Sequence, residues 1–427
     1  MNPIFSILLT CLLAGSSVFC AEGTVALSRD KAISLAFANH RELRIASLEI
    51  KRAASRVQWA GRLDNPELEL SASGDGVGLD EGEGNYEVAF SQRFPLTSKL
   101  KKEKGLRRWQ VILAEAEVVE RRRELAGEVD RAVVELLVTR EKIRLAREGV
   151  TLNKEIVLFL EERAKLGEAS KLDVMQATLN GRTLEQEFKL LQTQEKQQRF
   201  ALNQLIGLEA DAVPSLAGSL DLPAARPATG GDIAPILSRR PDHVLALAKT
   251  DEARAAIALE ESKRWEDIEV KVFVEGEDAV DDPTGRDRNT FAGVGISIPL
   301  PFRQKNQEGI ARAQIDAEAA AEGVEAAQFT VRAECEEAWQ RRLDSWQLAH
   351  EARGELLDLA EENLTGFRAA YEKGEATLTQ VQKAQEQVLQ LRAAAAGFLA
   401  DYHLADARVR FVTGAYPGLT ISRPTEK

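Results

Sequence analysis

The hydrophobic pattern of this chain changes period most sharply in residues 290–309, TFAGVGISIPLPFRQKNQEG. The first part of this stretch alternates apolar residues with small or polar ones, which is typical of a β-strand. Pro299 and Pro301 end the alternation, because proline cannot donate a ladder hydrogen bond. From Asn306 onward Ala, Glu, Gln and Arg predominate for about sixty residues with few breakers. The pattern therefore predicts a short strand that leads directly into a very long helix.

The first half of the chain carries the same order of patterns. Residues 86–96 alternate and lead into a long helical pattern, and the tripeptide FPL at 94–96 matches IPL at 298–300. Gly105 matches Gly309 at the same offset. Further along, the tripeptide GEA occurs twice, as Gly167-Glu168-Ala169 and as Gly374-Glu375-Ala376. A period of about 200 residues indicates two copies of one structural unit.

Each unit is predicted to contain a helix, a β-hairpin and a long helical hairpin. Each outgoing helix of a helical hairpin would extend on the order of 100 Å at the rise of an α-helix. The first unit is predicted at 21–206, with its β-hairpin at 66–96 and its helical hairpin at 100–206. A linker is predicted at 207–235. The second unit is predicted at 236–413, with its β-hairpin at 268–300 and its helical hairpin at 305–413, and a C-terminal tail follows at 414–427.

Several finer predictions accompany these ranges. The opening helices are expected to be continuous at 28–62 and 236–265, the second outgoing arm is expected to be one helix at 306–373, and residues 278–289 are expected to form an acidic loop. Apolar residues at alternating spacings of four and three predict a packed seam along each arm. The predicted seam residues are Leu145, Leu152, Ile156, Phe159 and Leu166 in the first arm and Trp339, Leu343, Trp346, Leu357, Ala360, Leu364, Phe367 and Tyr371 in the second.

The N-terminus has the pattern of a secretory signal peptide at 1–20. An apolar segment rich in Leu and Ser runs from Ile4 to Val18, although no Lys or Arg precedes it. Cys20 leaves a lipoprotein as an open alternative. Removal of the signal would take Cys11 and Cys20 with it and leave Cys335 as the one cysteine, so an exported protein would have no internal disulfide.

Composition narrows the possible functions. The net charge of -12 argues against a nucleic-acid binder, whose phosphate contacts need a basic surface. Two Met, four widely spaced His and 6% aromatic residues provide little material for an enzyme pocket, a metal site or a cofactor site, and we predict none of these. After the N-terminus, no stretch reaches the roughly 18 apolar residues of a membrane-spanning helix, so a membrane crossing would use strands.

The number of strands then limits how the membrane could be crossed. Two hairpins supply four short amphipathic strands, which are too few to close a barrel. Open strand edges are not tolerated in lipid, so other copies of the chain would have to complete the sheet. Three copies would give twelve strands. The predicted fold class is therefore mainly α with a small membrane β-barrel portion.

The duplicated order of helix, β-hairpin, long helix, Gly-turn and long helix resembles the outer membrane efflux proteins of the TolC type. Pro299, Pro301, Asn306 and Gly309 are similar to the strand-to-helix motif of the CzcC-like, heavy-metal branch, here with other residues interleaved. The resemblance implies a homotrimer with a twelve-stranded outer-membrane barrel and a periplasmic α-helical barrel. It also implies docking on a periplasmic adaptor protein and an inner-membrane pump of the resistance-nodulation-division type, with neither enzymatic activity nor a cofactor.

The resemblance further assigns roles to the two Gly-turns. The residues Gly167, Glu168, Ala169, Gly374, Glu375 and Ala376 would form the periplasmic turns that contact the adaptor. Acidic residues after such turns can ring the aperture of the channel, and Asp173 lies six residues past the first Gly. The matching residue in the second unit is Gln380, and Lys383 follows one turn later. An alternative for Asp173 is an ordinary acid in the first turn of a helix.

The acidic composition and the branch motif favour divalent heavy-metal cations as the cargo. Drug efflux and type I secretion are alternatives that use the same channel architecture. A periplasmic helical-hairpin adaptor is an alternative of another class, against which the four strand segments argue.

Overall fold

A computed structural model describes residues 27–74, 83–218, 220–281, 285–352 and 354–419, so the predicted signal peptide and Cys20 lie outside it. Within these ranges the chain is mostly helical and contains one small antiparallel sheet. The elements in chain order are α1 Arg29–Asn39, α2 Arg41–Trp59, β1 Glu67–Gly74, β2 Gly84–Phe94, α3 Lys99–Lys165, α4 Lys171–Ile206, α5 Ile233–Arg239, α6 Pro241–Ser262, β3 Ile268–Asp281, β4 Gly285–Ser297, α7 Gln307–Ala352, α8 Glu355–Glu372 and α9 Leu378–Thr413.

The long helices follow the predicted helical hairpins. Helix α3 has 67 residues, which corresponds to about 100 Å, and α4 returns along it. In the second unit α7 and α8 form the outgoing arm and α9 returns. Both returning helices end at a left-handed glycine, Gly207 with φ 71° and Gly414 with φ 64°. Glycine adopts this conformation without a Cβ clash, which explains the matched ends.

The opening helix of each unit is divided, so the continuous helices predicted at 28–62 and 236–265 are wrong. In the first unit the backbone is extended at His40, between α1 and α2. In the second unit Arg240 is extended directly before Pro241. Proline disfavours a helical conformation in the residue before it, which accounts for the second break.

The second outgoing arm is also divided, whereas a single helix is predicted. Helix α7 ends at Ala352 and α8 begins at Glu355, with an extended Gly354 before it (φ -91°, ψ -153°). Glycine is a poor helix former, so interrupting the helix at this position costs little free energy. The corresponding arm of the first unit, α3, is one unbroken helix. The two units are therefore alike in order but differ in the continuity of this arm.

The four strands form one sheet in the order β1-β2-β3-β4, with antiparallel neighbours throughout. The two predicted β-hairpins are joined because β2 pairs with β3, with Val88 opposite Val274. The loop predicted at 278–289 is wrong, since β3 continues to Asp281 and β4 starts at Gly285. Sequence pattern missed these strand ends because their residues are polar and charged, yet the ladder continues through them.

The seam predicted along the second arm is confirmed for five of its eight residues, and the other three, Leu357, Phe367 and Tyr371, are half-buried. Trp339, Leu343 and Trp346 are at most 9% exposed, and Ala360 and Leu364 are also buried. The seam predicted along the first arm is partly wrong. Leu166 is 73% exposed, and the buried positions there are Gly149, Asn153 and Leu160. The buried side-chain amide of Asn153 has a hydrogen-bond partner, since it donates to the Ala177 carbonyl of α4 (3.0 Å).

The predicted linker and C-terminal tail are packed onto the helices in their described parts. Leu216 pairs with Leu27 in an isolated bridge, and the Leu27 amide donates to the Ser215 carbonyl (2.6 Å). The Trp346 indole donates to the Pro223 carbonyl (2.9 Å). Tyr416 is 6% exposed and belongs to the core formed with α1, α3 and α4. These segments therefore complete the core.

A buried ion cluster connects the two units. Asp130 of α3 is fully buried, and its carboxylate accepts from Arg29 of α1 (2.5 and 2.9 Å) and from Arg410 of α9 (3.1 and 3.2 Å). Arg29 also contacts Asp406 (3.3 Å), and Arg410 contacts Asp30. Because a buried charge without partners is strongly destabilising, these pairs hold α1, α3 and α9 in fixed relation.

In the described part of the chain, no helix is both long enough and apolar enough to cross a membrane.

Candidate functional site

One face of the sheet is an exposed apolar surface. The ladder registers are constant, so even-numbered residues of all four strands share one face, which we name the apolar face. Two complete rows of aligned residues cross its centre: Leu68, Phe90, Val272 and Val294, and Leu70, Val88, Val274 and Ala292. Leu70 is 70% exposed and Val294 is 68% exposed. Within one copy of the chain, the described residues do not cover this face.

The opposite face, formed by odd-numbered residues and named the polar face, is strongly acidic. Its basic residues are Arg93 and Lys271. Its acidic residues are Glu67, Glu69, Glu87, Glu269, Glu275, Glu277 and Asp287. Lys271 pairs with Glu69 (3.4 Å) and with Glu87, and Arg93 pairs with Glu269 (3.3 Å). Acidic side chains outnumber basic ones, so this face keeps a negative charge after pairing.

The predicted strand-to-helix motif builds a close contact with the end of α6. Pro299 and Pro301 lie half-buried in the segment between β4 and α7. Asn306 has a positive φ of 55°, a conformation that asparagine tolerates better than most residues. Its side-chain amide donates to the Glu260 backbone carbonyl (2.9 Å) and carboxylate (2.7 Å). The motif therefore docks the start of α7 onto α6.

Gly309 completes this contact. A Cβ at this position would lie 2.4 Å from the Asn306 Oδ1 and 2.7 Å from the Glu260 Oε2, both below any normal contact. Gly105, its sequence match in the first unit, has open space around it. The two glycines thus have different roles. Glu260 was missed by sequence reasoning, because it precedes Asn306 by 46 positions and belongs to no local motif.

The two Gly-turns have closely matched geometry. Gly167 and Gly374 have φ values of 77° and 78°, and a Cβ on either would meet open space. Glu168 and Glu375 follow them and are exposed, whereas Ala169 and Ala376 are half-buried. A residue other than glycine would be strained in this left-handed conformation, so the backbone of each turn requires glycine at this position. The six residues named for these turns therefore lie at two similar hairpin tips.

The aperture candidates Asp173 and Gln380 are both helix caps. The Asp173 carboxylate accepts from the Ser170 amide (3.4 Å), and the Gln380 side-chain oxygen accepts from the Thr377 amide (2.8 Å). Both belong to capping boxes that begin α4 and α9. Lys383 is exposed one turn later on α9. The contacts of Asp173 are therefore those of the alternative interpretation, an ordinary acid in the first turn of a helix.

Arg163 joins the two hairpin tips and was not identified from the sequence. Its guanidinium donates to the Glu168 carboxylate (2.7 Å) and to the Glu372 carbonyl of the other hairpin (3.3 Å). Beside it, the rings of Phe159 and Tyr371 meet edge to face at 5.8 Å. These contacts make the two tips one connected surface.

Candidate metal ligands are not clustered in the described residues: no group of three His, Cys, Asp or Glu side chains could hold an ion there. Cys335 is a free, buried thiol on α7, and burial raises its pKa. The arrangement instead offers an amphipathic sheet at one end and two long helical hairpins that end in matched turns.

Comparison with solved structures shows that this fold is shared with outer membrane proteins. The outer membrane protein VceC of Vibrio cholerae is 18% identical, with a TM-score of 0.68 over 90% of this chain and 96% of that chain. CusC, whose structures concern folding and transmembrane channel formation, is 19% identical, with a TM-score of 0.70 over 91% of this chain and 92% of that chain.

The family model for outer membrane efflux proteins matches residues 32–208 and 233–415, and the chain belongs to this family. The cobalt-zinc-cadmium resistance protein CzcC of Cupriavidus metallidurans is 21% identical over 93% of this chain and 92% of that protein. The pyoverdine export outer membrane protein OpmQ of Pseudomonas putida is 24% identical over 53% of this chain and 52% of that protein. The resemblance to the TolC-type family and its CzcC-like branch is confirmed.

The contact at Gly309 predicts opposite effects for two matched substitutions. Gly309→Ala should lower the free energy of unfolding by about 1 to 3 kcal/mol, because the added methyl group overpacks the junction. Gly105→Ala should raise it by a few tenths to about 1 kcal/mol, because alanine is the better helix former and has room there. Chemical denaturation of both variants measures the two changes, and equal effects would contradict the proposed junction.

Proposed function

We propose that this protein is the outer-membrane channel subunit of a tripartite, proton-driven efflux system that exports divalent heavy-metal cations. The observation that carries the proposal is the division of the sheet into an exposed apolar face and an acidic polar face. Membership of the outer membrane efflux family supports the channel role. Similarity to a cobalt-zinc-cadmium resistance protein over nearly the full chain supports the cargo.

The sheet supports a trimeric barrel. Strands β1 and β4 are its two edges, and no other strand of the described part of the chain pairs with their outer sides. Such edges are not viable in lipid, whereas β4 of one copy and β1 of the next could pair. Three copies give a closed barrel of twelve strands, with the apolar face toward lipid and the polar face toward the lumen.

The acidic polar face favours cations as cargo. Placed inside a barrel, its carboxylates raise the local concentration of cations without binding them at fixed sites. Zinc, cobalt and cadmium can therefore pass through a wide aqueous duct that has few His, Cys and Met ligands. Selection among metals belongs to the pump in this arrangement.

The tips of the helical hairpins are the proposed contact with the other components of the efflux system. They lie at the far end of helices that extend about 100 Å, so they would project into the periplasm toward the adaptor and the pump. Glu168 and Glu375 are exposed there, each directly after a turn glycine. Most of the chain would lie in the periplasm, and only the sheet would lie in the outer membrane.

Drug efflux or type I secretion by the same channel is the second candidate function. The partial similarity to a pyoverdine export protein favours export of an organic molecule. The adaptor alternative is not supported, because the family and the fold are those of outer membrane channels.

The lipid-facing role of the apolar face predicts a difference between two adjacent positions. Leu70→Arg should cost roughly 2 to 4 kcal/mol of insertion free energy, because it places a charge at the middle of the apolar face. Ser71→Arg, on the polar face opposite Glu87, should be tolerated. Recovery of each variant from the outer-membrane fraction tests this, and equal recovery would reject the barrel.

The adaptor contact predicts where crosslinks form. A photoreactive residue at Glu168 or Glu375 should crosslink to a periplasmic adaptor protein in intact cells, because both side chains are exposed at the tips. The same probe at exposed Ser71, on the sheet, should not. Labelling of the tips by an impermeant reagent added outside the cells would show the opposite orientation.

The cargo predicts a phenotype for deletion of the gene. Loss of the channel should lower tolerance to zinc, cobalt or cadmium and raise the metal content of the cells, measured by elemental analysis. Complementation with Asp173→Asn should restore export almost fully, because asparagine keeps the cap acceptor. Unchanged metal tolerance with increased sensitivity to dyes or antibiotics would instead assign the channel to drug efflux.

A further inference from the structure

We propose that the outer end of the apolar face carries a binding site for the phosphate group of a membrane lipid, formed by Arg286 and Arg288. The proposal rests on the proposed membrane orientation of the sheet. The site belongs to the lipid side of the sheet and is separate from the lumen through which cargo would pass.

The register places both arginines on the apolar face. In the β3–β4 ladder, Arg286 is opposite Val280 and Arg288 is opposite Asp278. Both positions are even-numbered, as are Val294 and the other apolar residues of this face. In the described part of the sheet, the charged residues on this face are Asp278, Arg286 and Arg288, and all three lie at one end. Ile296 lies eight positions after Arg288, which is about 26 Å along the strand.

The chain direction decides which end this is. Strand β4 runs from Gly285 to Ser297 and then leads to α7, so the arginines lie at the end of the strand away from the helices. With the helices in the periplasm, this end lies at the outer surface of the membrane. An apolar band followed by a basic group matches the boundary between lipid chains and anionic headgroups.

Asp278 and Tyr86 position the two arginines. The Asp278 carboxylate accepts from Arg288 Nε (2.7 Å) and Nη2 (3.4 Å), from Arg286 Nη2 (3.2 Å) and from the Tyr86 hydroxyl. Asp278 is only 5% exposed, whereas the Arg286 and Arg288 side chains are 56% and 68% exposed. Four donors occupy the carboxylate, and the cluster keeps a net positive charge.

The remaining guanidinium donors fit a phosphate. Each guanidinium has five N–H donors, and Asp278 uses two from Arg288 and one from Arg286. Among the described residues no other acceptor contacts the remaining donors, so they can face the membrane surface, where paired N–H groups bind phosphate oxygens in a bidentate manner. Tyr86, at the edge of the apolar rows, provides the aromatic residue typical of a membrane interface.

The test compares lipid binding by the full chain and a paired variant. Purified trimer in detergent would be titrated with diphosphorylated lipid A and, separately, with its monophosphorylated form, and bound lipid would be counted by native mass spectrometry. The wild type should bind the diphosphorylated lipid more tightly. Arg286→Gln with Arg288→Gln should weaken that binding about tenfold, because charge-assisted hydrogen bonds are lost.

Controls separate the possible explanations. Arg93→Gln removes a comparably exposed arginine (53%) on the polar face and should leave lipid binding unchanged. If the glutamine pair fails to fold, Arg286→Lys with Arg288→Lys keeps the charge and should weaken binding less. Equal lipid binding by the wild type and a folded variant pair would overturn the proposal. Displacement of the lipid by millimolar inorganic phosphate would likewise overturn it, and would show a site for free phosphate.

The two proposals can fail separately. Fractionation of the wild-type protein is measured first. If the wild type is absent from the outer membrane, the channel proposal fails and the lipid site fails with it. If the wild type is a membrane trimer whose lipid binding depends neither on the number of phosphate groups of the lipid nor on Arg286 and Arg288, only the lipid site fails.

Discussion

The pairing of β2 with β3 is the interaction on which the rest of the structure depends. It joins strands from the two units into one sheet, with Phe90 opposite Val272. A shift of one residue in this register would move the apolar residues of one hairpin to the polar face. The buried pairs of Asp130 with Arg29 and Arg410 connect the same two units through their helices. Sheet and ion cluster together fix how the units lie side by side.

Repetition made most of the fold readable from the sequence, because long helices and alternating strands have strong periods. The breaks were harder to predict. Arg240 precedes a proline and could have been identified, whereas His40 has no such neighbour. The strand ends near Asp278 were missed because their polar residues hide the alternation. Glu260 and Arg163 could not be found, since each acts on a segment distant in sequence.

The two units differ in helix continuity and in the packing around matched glycines. Helix α3 is continuous, whereas Gly354 interrupts the second arm. Gly309 is held tightly against Glu260, whereas Gly105 lies in open space. By contrast, the two turn glycines have nearly identical φ values, and a capping box begins the helix after each of them. The ends of the helical hairpins are therefore under the same structural constraint in both units, and the junctions near the sheet are not.

The charges of the sheet are separated in a way that fits a conduit without fixed ligands. Carboxylates predominate on the polar face, and the exposed basic pair on the apolar face lies at the end remote from the helices. In the proposed barrel, the acidic polar face would concentrate cations near the sheet, and this effect would weaken as salt screens it. A coordinating site would hold a metal ion and slow its exit. An acidic surface that attracts ions without coordinating them is therefore compatible with the proposed export of metal ions by a chain with few His, Cys and Met residues.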